Sequence, residues 1–128
     1  MKQSNEIKTV SALGKTWILD LDGTIVKHNG YKIDGKDSLL PGVEKLLSQI
    51  APQDMVIFVT SRKSEYADLT EKFLEECHIR FDQIIYNAPY GERILINDRK
   101  PSGLSMSIGI NTNRDEACNM VFEVDENL

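Results

Sequence analysis

The stretch Trp17-Ile18-Leu19-Asp20-Leu21-Asp22-Gly23-Thr24 joins an apolar run to a polar turn. Residues 16–21 have the length and composition of a buried strand, and the acidic, glycine-containing segment that follows predicts a loop. The carboxylates of Asp20 and Asp22 therefore lie where the strand ends. Two carboxylates held this close repel each other unless a cation or a proton intervenes, so this turn predicts a functional site.

Strands and helices are predicted to alternate along the rest of the chain. The predicted helices cover residues 41–51 and 64–77, and the further strands cover residues 55–60, 81–86, 93–97, 105–110 and 120–124. Residues 22–40 are expected to form a loop with a small hairpin, and residues 1–14 a frayed or edge segment. This alternation predicts an α/β fold in which helices cover a parallel sheet, built as a single domain over residues 1–128.

Polar side chains follow two more of the predicted strands. Thr60 and Arg62 come at the end of the second strand, and Asp98 and Lys100 come after the strand at residues 93–97. In an open parallel sheet the ligand sits at the carboxyl ends of the strands. We therefore expect these side chains to meet the acidic turn at one edge of the sheet.

Three acidic side chains should meet at that edge, those of Asp20, Asp22 and Asp98. Clustered carboxylates favour a hard, oxygen-binding cation, and Mg²⁺ is the expected one. Gly23 would let the backbone approach a phosphate closely.

Composition limits the function classes that fit the chain. The formal net charge is −5 over 128 residues, which argues against a partner bound through a nucleic-acid backbone. Cys77 and Cys118 match no zinc-binding spacing and require no disulfide, so a reducing cytoplasm is expected. No apolar run is long enough to span a bilayer, and the first ten residues lack the apolar stretch of a secretory signal.

Three segments, in this order, resemble motifs of the haloacid dehalogenase superfamily of phosphatases. They are the DxDGT of residues 20–24 after its apolar strand, the strand ending in a threonine at residues 56–60, and the acidic segment after a strand at residues 94–98. The resemblance covers about residues 15–112. It implies a three-layer, Rossmann-like α/β fold with a mainly parallel sheet. Residues 25–40 and 62–79 are too short to hold an inserted domain, so no cap domain is expected.

The resemblance also implies catalytic roles. Asp20 resembles the nucleophile that forms an aspartyl-phosphate, Asp22 the general acid and base, and Thr60 the hydroxyl that holds the phosphoryl oxygens. The Asp20 carboxylate, the Asp22 carbonyl and Asp98 resemble the protein ligands of Mg²⁺. Asn97 stands where many members have a second aspartate, and one charge fewer would weaken metal binding unless a water or another acid compensates.

Contacts to the substrate are expected around the same turn and at the end of the second strand. Backbone amides near Gly23 and Thr24, together with a cationic side chain, would stabilise the phosphoryl oxygens. We assign Ser61 and Arg62 to the substrate-binding residues as well.

The lysine that neutralises the aspartyl-phosphate in similar short members is missing, because Ala88 occupies its place before Pro89. The available cations are Lys100, Arg93, Arg62 and Lys63. We favour Lys100, which lies beside the predicted metal ligand at the active edge. Arg93 is expected to begin a strand and to point away from that edge.

The leading hypothesis is therefore a phosphomonoester hydrolase that acts on a small phosphorylated metabolite. The resemblance favours a sugar phosphate of surface-polysaccharide biosynthesis. A nucleotide or a polynucleotide end is the second enzymatic alternative, and a non-catalytic, regulatory phosphate-binding module, supported by Ala88 and Asn97, is the third. Without a cap the site is open, and assembly of identical subunits would be one way to enclose it.

Overall fold

Parallel strand pairing organises the structure, a computed structural model that describes residues 6–128. The strands are β1 (Ile7–Val10), β2 (Thr16–Asp20), β3 (Met55–Val59), β4 (Gln83–Ile85) and β5 (Val121–Val124). The helices are α1 (Gly30–Ile33), α2 (Val43–Leu47) and α3 (Ala67–Glu76), and a single 3₁₀ turn (Ser64–Tyr66) leads into α3. The chain is thus a mixed α/β protein, as the alternation of patterns predicts.

The central sheet has the strand order β2-β3-β4, and all three strands are parallel. Its register pairs Asp20 with Val59 and Val59 with Ile85, so the three carboxyl ends are level. The strands predicted at residues 16–21, 55–60 and 81–86 are therefore confirmed, each somewhat shorter than expected. This level edge is where the side chains that follow β2 and β3 come together.

A second, two-stranded parallel sheet pairs β1 with β5, with Ile7 opposite Val121. It confirms the strand predicted at residues 120–124. Residues 7–10, predicted as part of a frayed or edge segment, form one strand of this pair, whereas residues 1–5 lie outside the described part of the chain. Trp17 and Phe122 link the two sheets, with ring centroids 5.0 Å apart and the ring planes at 83°.

The hydrophobic core lies between the central sheet and its helices. It is built from buried side chains of β2, β3, α2 and α3 and of the loops after β2 and after α3, namely Leu19, Leu21, Ile25, Val26, Val43, Leu46, Val56, Phe58, Leu74 and Ile79. Cys77 is partly buried and packs against this core as a small apolar residue. In residues 6–128 no helix is both long enough and apolar enough to cross a membrane.

The helices differ from their predicted bounds and faces. The α2 helix begins at Val43 instead of position 41, because Gly42 has a left-handed backbone (φ 86°) that a helix cannot include. The spacing of Tyr66, Leu69, Phe73 and Cys77 predicts an apolar stripe on the second predicted helix. This prediction is wrong in part, since Leu69 is exposed while Thr70 and Leu74 are fully buried. The helix turns Thr70 inward because its hydroxyl accepts a hydrogen bond from the buried Arg62.

The strands predicted at residues 93–97 and 105–110 are not formed. Between β4 and β5 the described chain contains no helix or strand, and Ile94 and Ile96 are 84% and 90% exposed. A short apolar run becomes a strand only where a neighbouring edge accepts its hydrogen bonds, and β2 pairs on its β3 side alone in the described structure. Ile18 on β2 stays exposed as a result. Residues 93–97 instead contact the central sheet through the side chain of Arg93, which binds Asp20 at the end of β2.

Candidate active site

Asp20 ends β2 and is held by a hydrogen bond on each carboxylate oxygen. Thr24 Oγ donates to Asp20 Oδ2 at 2.8 Å, and Arg93 Nη1 donates to Asp20 Oδ1 at 2.8 Å. The Asp20 side chain is nevertheless 38% exposed. The structure therefore presents an oriented carboxylate to solvent, next to a cation.

The position of Arg93 overturns the expectation that it points away from the active edge. Residues 93–97 form no strand, and the guanidinium of Arg93 lies at the end of β2, beside Asp20. Lys100, the favoured cation, is exposed and forms no ion pair within residues 6–128; its backbone N–H donates to the carbonyl of Leu104. The cation beside the expected nucleophile is Arg93.

The turn after Asp22 uses its own backbone amides. Gly23 N–H donates to the carbonyl of Val26 at 2.7 Å, and Thr24 N–H donates to the carbonyl of Leu21 at 3.3 Å. Neither amide is free for a phosphate in this arrangement, contrary to expectation. Gly23 itself is required by its left-handed backbone (φ 83°) and by the side chain of Arg114, whose Cγ would lie 3.2 Å from an added Cβ.

Asp22 faces Arg62, which follows β3. Arg62 Nε donates to Asp22 Oδ2 and Arg62 Nη2 donates to Asp22 Oδ1, both at 3.0 Å. This is a two-point contact between a guanidinium and a carboxylate, a geometry that fixes orientation as well as distance. The Asp22 side chain keeps a small exposed fraction, whereas that of Arg62 is only 1% exposed.

The remaining partners of Arg62 are buried too. Its Nη1 donates to Asp37 Oδ2 at 2.9 Å and to Thr70 Oγ at 2.9 Å, and its Nη2 donates to Asp37 Oδ1 at 2.6 Å. Its guanidinium carbon lies 4.0 Å from the centre of the Tyr31 ring. Burial alone would lower the pKa of Arg62, but the hydrogen bonds to Asp37 and Asp22 outweigh it and raise that pKa above its ordinary value.

We call Asp22, Tyr31, Asp37, Arg62 and Thr70 the Arg62 cluster. Sequence reasoning assigned Arg62 to the substrate and missed three of its partners. Tyr31 lies in the short helix α1 and Asp37 in the loop that follows it. This Gly- and Lys-rich segment has no periodicity to mark a buried residue, and Thr70 interrupts the apolar pattern of α3. All five N–H groups of Arg62 are donated within the cluster in this structure, and its predicted role in substrate binding stays a prediction.

Thr60 lies at the predicted edge, directly after β3, and is fully buried. Its Oγ accepts the backbone N–H of Arg62 at 3.1 Å, so the hydroxyl hydrogen remains available for another acceptor. Ser61 Oγ donates to the carbonyl of Pro89 at 3.3 Å. The roles predicted for Thr60 and Ser61 stay predictions.

Asp98 is exposed, and its backbone carbonyl accepts a hydrogen bond from the Asn97 side chain at 3.1 Å. The described residues contain no group of three His, Cys, Asp or Glu side chains that could hold a metal ion. The Asp20 carboxylate and the Asp22 carbonyl have the right donor chemistry for Mg²⁺. The structure does not bring Asp98 to them, so the arrangement does not fit a complete magnesium site.

Comparison with known proteins gives limited information about this chain. No family model matches it, and no curated protein matches it. A chain in the solved structure of the Pnkp1/Rnl/Hen1 RNA repair complex is similar, with a TM-score of 0.50 and 29% sequence identity over 67% of this chain. The match covers 30% of that chain, so this protein corresponds to less than a third of the relative that it resembles.

Proposed function

We propose that this chain is a phosphomonoester hydrolase in which Asp20 attacks the phosphoryl group. The proposal rests on one observation, the placement of the Asp20 carboxylate. It is accessible to solvent at the carboxyl end of β2, it is oriented by Thr24, and it lies next to Arg93. We further propose that the α/β fold is the three-layer, capless fold of the haloacid dehalogenase superfamily, on the strength of the DxDGT segment at this position.

The proposed reaction has two steps. In the first, an Asp20 oxygen bonds to phosphorus, the phosphorus–oxygen bond to the alcohol breaks, and the leaving oxygen takes a proton from Asp22. In the second, a water molecule loses a proton to Asp22 and attacks the aspartyl-phosphate, which releases inorganic phosphate and restores Asp20. A covalent intermediate divides one difficult displacement into two easier ones, and a positioned acid and base assists both.

Arg93 supplies the positive charge that this reaction requires. An incoming phosphoryl group and the Asp20 carboxylate repel each other, and a guanidinium that already touches Asp20 offsets that repulsion and can bind phosphoryl oxygens in two-point fashion. Arg93 thus provides the positive charge that the sequence analysis expected from Lys100. Arg93 also weakens the regulatory alternative, because Ala88 no longer leaves the site without a cation.

Magnesium dependence remains part of the proposal. The acidic turn offers oxygen donors, and a bound Mg²⁺ would stabilise negative charge on the phosphoryl oxygens. Because the described side chains do not form a complete metal site, no step above is assigned to the metal ion.

The proposed substrate is a small phosphorylated metabolite, with a sugar phosphate of surface-polysaccharide biosynthesis preferred. The exposure of Asp20 suits an open site that identical subunits could enclose. A second candidate is a phosphorylated polynucleotide end, because the similar solved chain belongs to an RNA repair complex. The net charge of −5 argues against that candidate, and a phosphorylated oligonucleotide tested beside sugar phosphates would compare the two directly.

The test of the proposed function is turnover of para-nitrophenyl phosphate by wild-type protein and by Asp20→Asn. We expect the substitution to abolish turnover, since an amide cannot act as the nucleophile, while circular dichroism stays unchanged.

Asp34→Asn is the matched control for that test. Asp34 is 41% exposed and pairs with Lys27 at 2.8 Å, which resembles the exposure and the pairing distance of Asp20. The control should keep full activity. Turnover retained by Asp20→Asn beyond a few per cent would rule out the proposed nucleophile.

A further inference from the structure

We propose that Arg62 is a positioning residue that holds Asp22 in the orientation needed for proton transfer, and that the Arg62 cluster exists to fix this orientation. The proposal rests on the proposed function, since it gives Asp22 its proton-transfer role. It concerns a different part of the site from the phosphoryl-binding groups.

Arg62 has no hydrogen left for a substrate. Its five N–H groups make five hydrogen bonds to two carboxylates and one hydroxyl, all between 2.6 and 3.0 Å. To bind a phosphoryl group it would have to give up a hydrogen bond to Asp22, Asp37 or Thr70. Loss of a charge-assisted bond to a carboxylate or of the partner of the buried Thr70 hydroxyl costs free energy, so this exchange is unfavourable.

The cluster joins three separate segments of the chain. Asp37 belongs to the loop between β2 and α2, Thr70 belongs to α3, and Arg62 follows β3. Tyr31 covers one face of the guanidinium. Because the partners come from different elements, the guanidinium plane is fixed from several directions, and its fixed plane in turn fixes the carboxylate plane of Asp22.

The two-point contact leaves Asp22 able to exchange a proton. Each carboxylate oxygen has two lone pairs and gives one of them to Arg62, so a second remains on each oxygen. Asp22 is partly exposed where Arg62 is not. The proton-transferring oxygen thus faces the open site while the carboxylate cannot rotate.

This role makes a prediction about the leaving group. Protonation by Asp22 matters most for an alkyl phosphate, whose alkoxide leaves poorly, and least for para-nitrophenyl phosphate, whose phenolate leaves without help. The ratio kcat/KM reports the steps up to formation of the aspartyl-phosphate, so it isolates this first proton transfer. Misorientation of Asp22 should lower kcat/KM selectively for the alkyl ester.

The experiment measures kcat/KM for glycerol 2-phosphate and for para-nitrophenyl phosphate in Arg62→Lys. Lysine keeps the charge but cannot make the two-point contact. We expect a loss of roughly 100-fold on the alkyl ester, the low end for general acid catalysis, and at most a several-fold loss on the aryl ester. The inhibition constant of inorganic phosphate should be unchanged, since Arg62 does not bind the phosphoryl group.

Milder variants keep the test valid if Arg62→Lys does not fold. Thr70→Val removes one acceptor from Arg62 at nearly constant shape, and Thr70→Ser restores the hydroxyl. We expect Thr70→Val to lower kcat/KM selectively for glycerol 2-phosphate, and Thr70→Ser to restore it. Lys72→Met, on the exposed side of α3, is the control for charge loss and should behave as wild type.

The outcomes separate this proposal from the proposed function. Equal losses on both esters, or a phosphate inhibition constant raised tenfold, would overturn the positioning role while Asp20-dependent turnover stands. Should wild-type protein hydrolyse neither ester, the proposed function fails and the positioning role fails with it.

Discussion

Within residues 6–128, the positive charge paired with Asp20 comes from one side chain, that of Arg93. Removing it should expose the full repulsion between the carboxylate and the phosphoryl group. We expect Arg93→Ala to lower kcat/KM for para-nitrophenyl phosphate by roughly 100-fold or more, as the loss of an electrostatic stabiliser does. Lys100→Ala, a change of an exposed lysine outside any described ion pair, should cost less than a few-fold.

The opposite ranking of these two variants would mean that the chain after Gly91 lies differently in the working enzyme. If both variants lower kcat/KM equally and only slightly, another cation neutralises the phosphoryl group, and Lys63 is the next residue to test. Circular dichroism and thermal melting of both variants serve as controls, since a half-exposed ion pair such as Asp20–Arg93 contributes little to stability.

Individual site residues were predictable from the sequence where a local pattern of residue types indicates their role. Asp20, Asp22 and Thr24 were expected together because acids and a small hydroxyl follow an apolar strand. Asp37 was not, because its burial depends on Arg62, a residue far away in the chain. A buried ion pair leaves no local pattern, so only the folded structure could reveal it.

At the scale of secondary structure, Asp54 connects the beginnings of β2 and β3. This buried carboxylate accepts the backbone N–H groups of Lys15 and Ala51 and the indole N–H of Trp17, all at 2.9 to 3.0 Å. Burial alone would raise the pKa of Asp54, but these three hydrogen bonds prevail and hold its pKa below the ordinary value. The charged form is therefore favoured in the folded state.

Asp54 should accordingly make stability depend on acidity. With a folded pKa below the unfolded one, its contribution is complete above about pH 4 and is lost as the pH falls through the folded value. We expect Asp54→Asn to lower the free energy of unfolding at pH 7 by about 1–3 kcal/mol, the cost of poorly satisfied buried donors, and to flatten the acid limb of the stability curve. Urea unfolding from pH 2 to 7 measures both.

Asp34→Asn is the comparison for that experiment, because Asp34 is exposed and pairs with a surface lysine. It should change stability little at any pH. If Asp54→Asn also leaves the acid limb unchanged, Asp54 does not link the two strands as described.

Elements were predictable where burial decides them. The strands β2, β3 and β4 are apolar runs bounded by turns. The core buries Leu19 of β2 and Val56 and Phe58 of β3, whereas β4 contributes only the partly buried Ile84. Residues 93–97 carry a similar run and stay outside the sheet, because a run of three apolar residues does not identify the edge that would pair with it. The face of α3 was misjudged for a different reason, since the buried Thr70 hydroxyl accepts a hydrogen bond from Arg62.

Metal dependence belongs to the whole molecule, because it requires residues from distant parts of the chain to meet. We expect full loss of phosphatase activity in excess EDTA and recovery with Mg²⁺, since the Asp20 carboxylate and the Asp22 carbonyl are oxygen donors of the kind that this ion binds. Asp98→Asn should raise the Mg²⁺ concentration needed for half-maximal activity if Asp98 joins the site. Undiminished activity in EDTA would show that Arg93 suffices without a metal ion.

The pairing of β1 with β5 has a consequence for how the protein is made. Ile7–Val10 leave the ribosome before their partner strand, Val121–Val124, which is synthesised more than a hundred residues later. During translation β1 is therefore an open edge with nothing to bind, while β2, β3 and β4 can already assemble. Completion of the second sheet is then a late event that closes the two distant ends of the described chain onto each other.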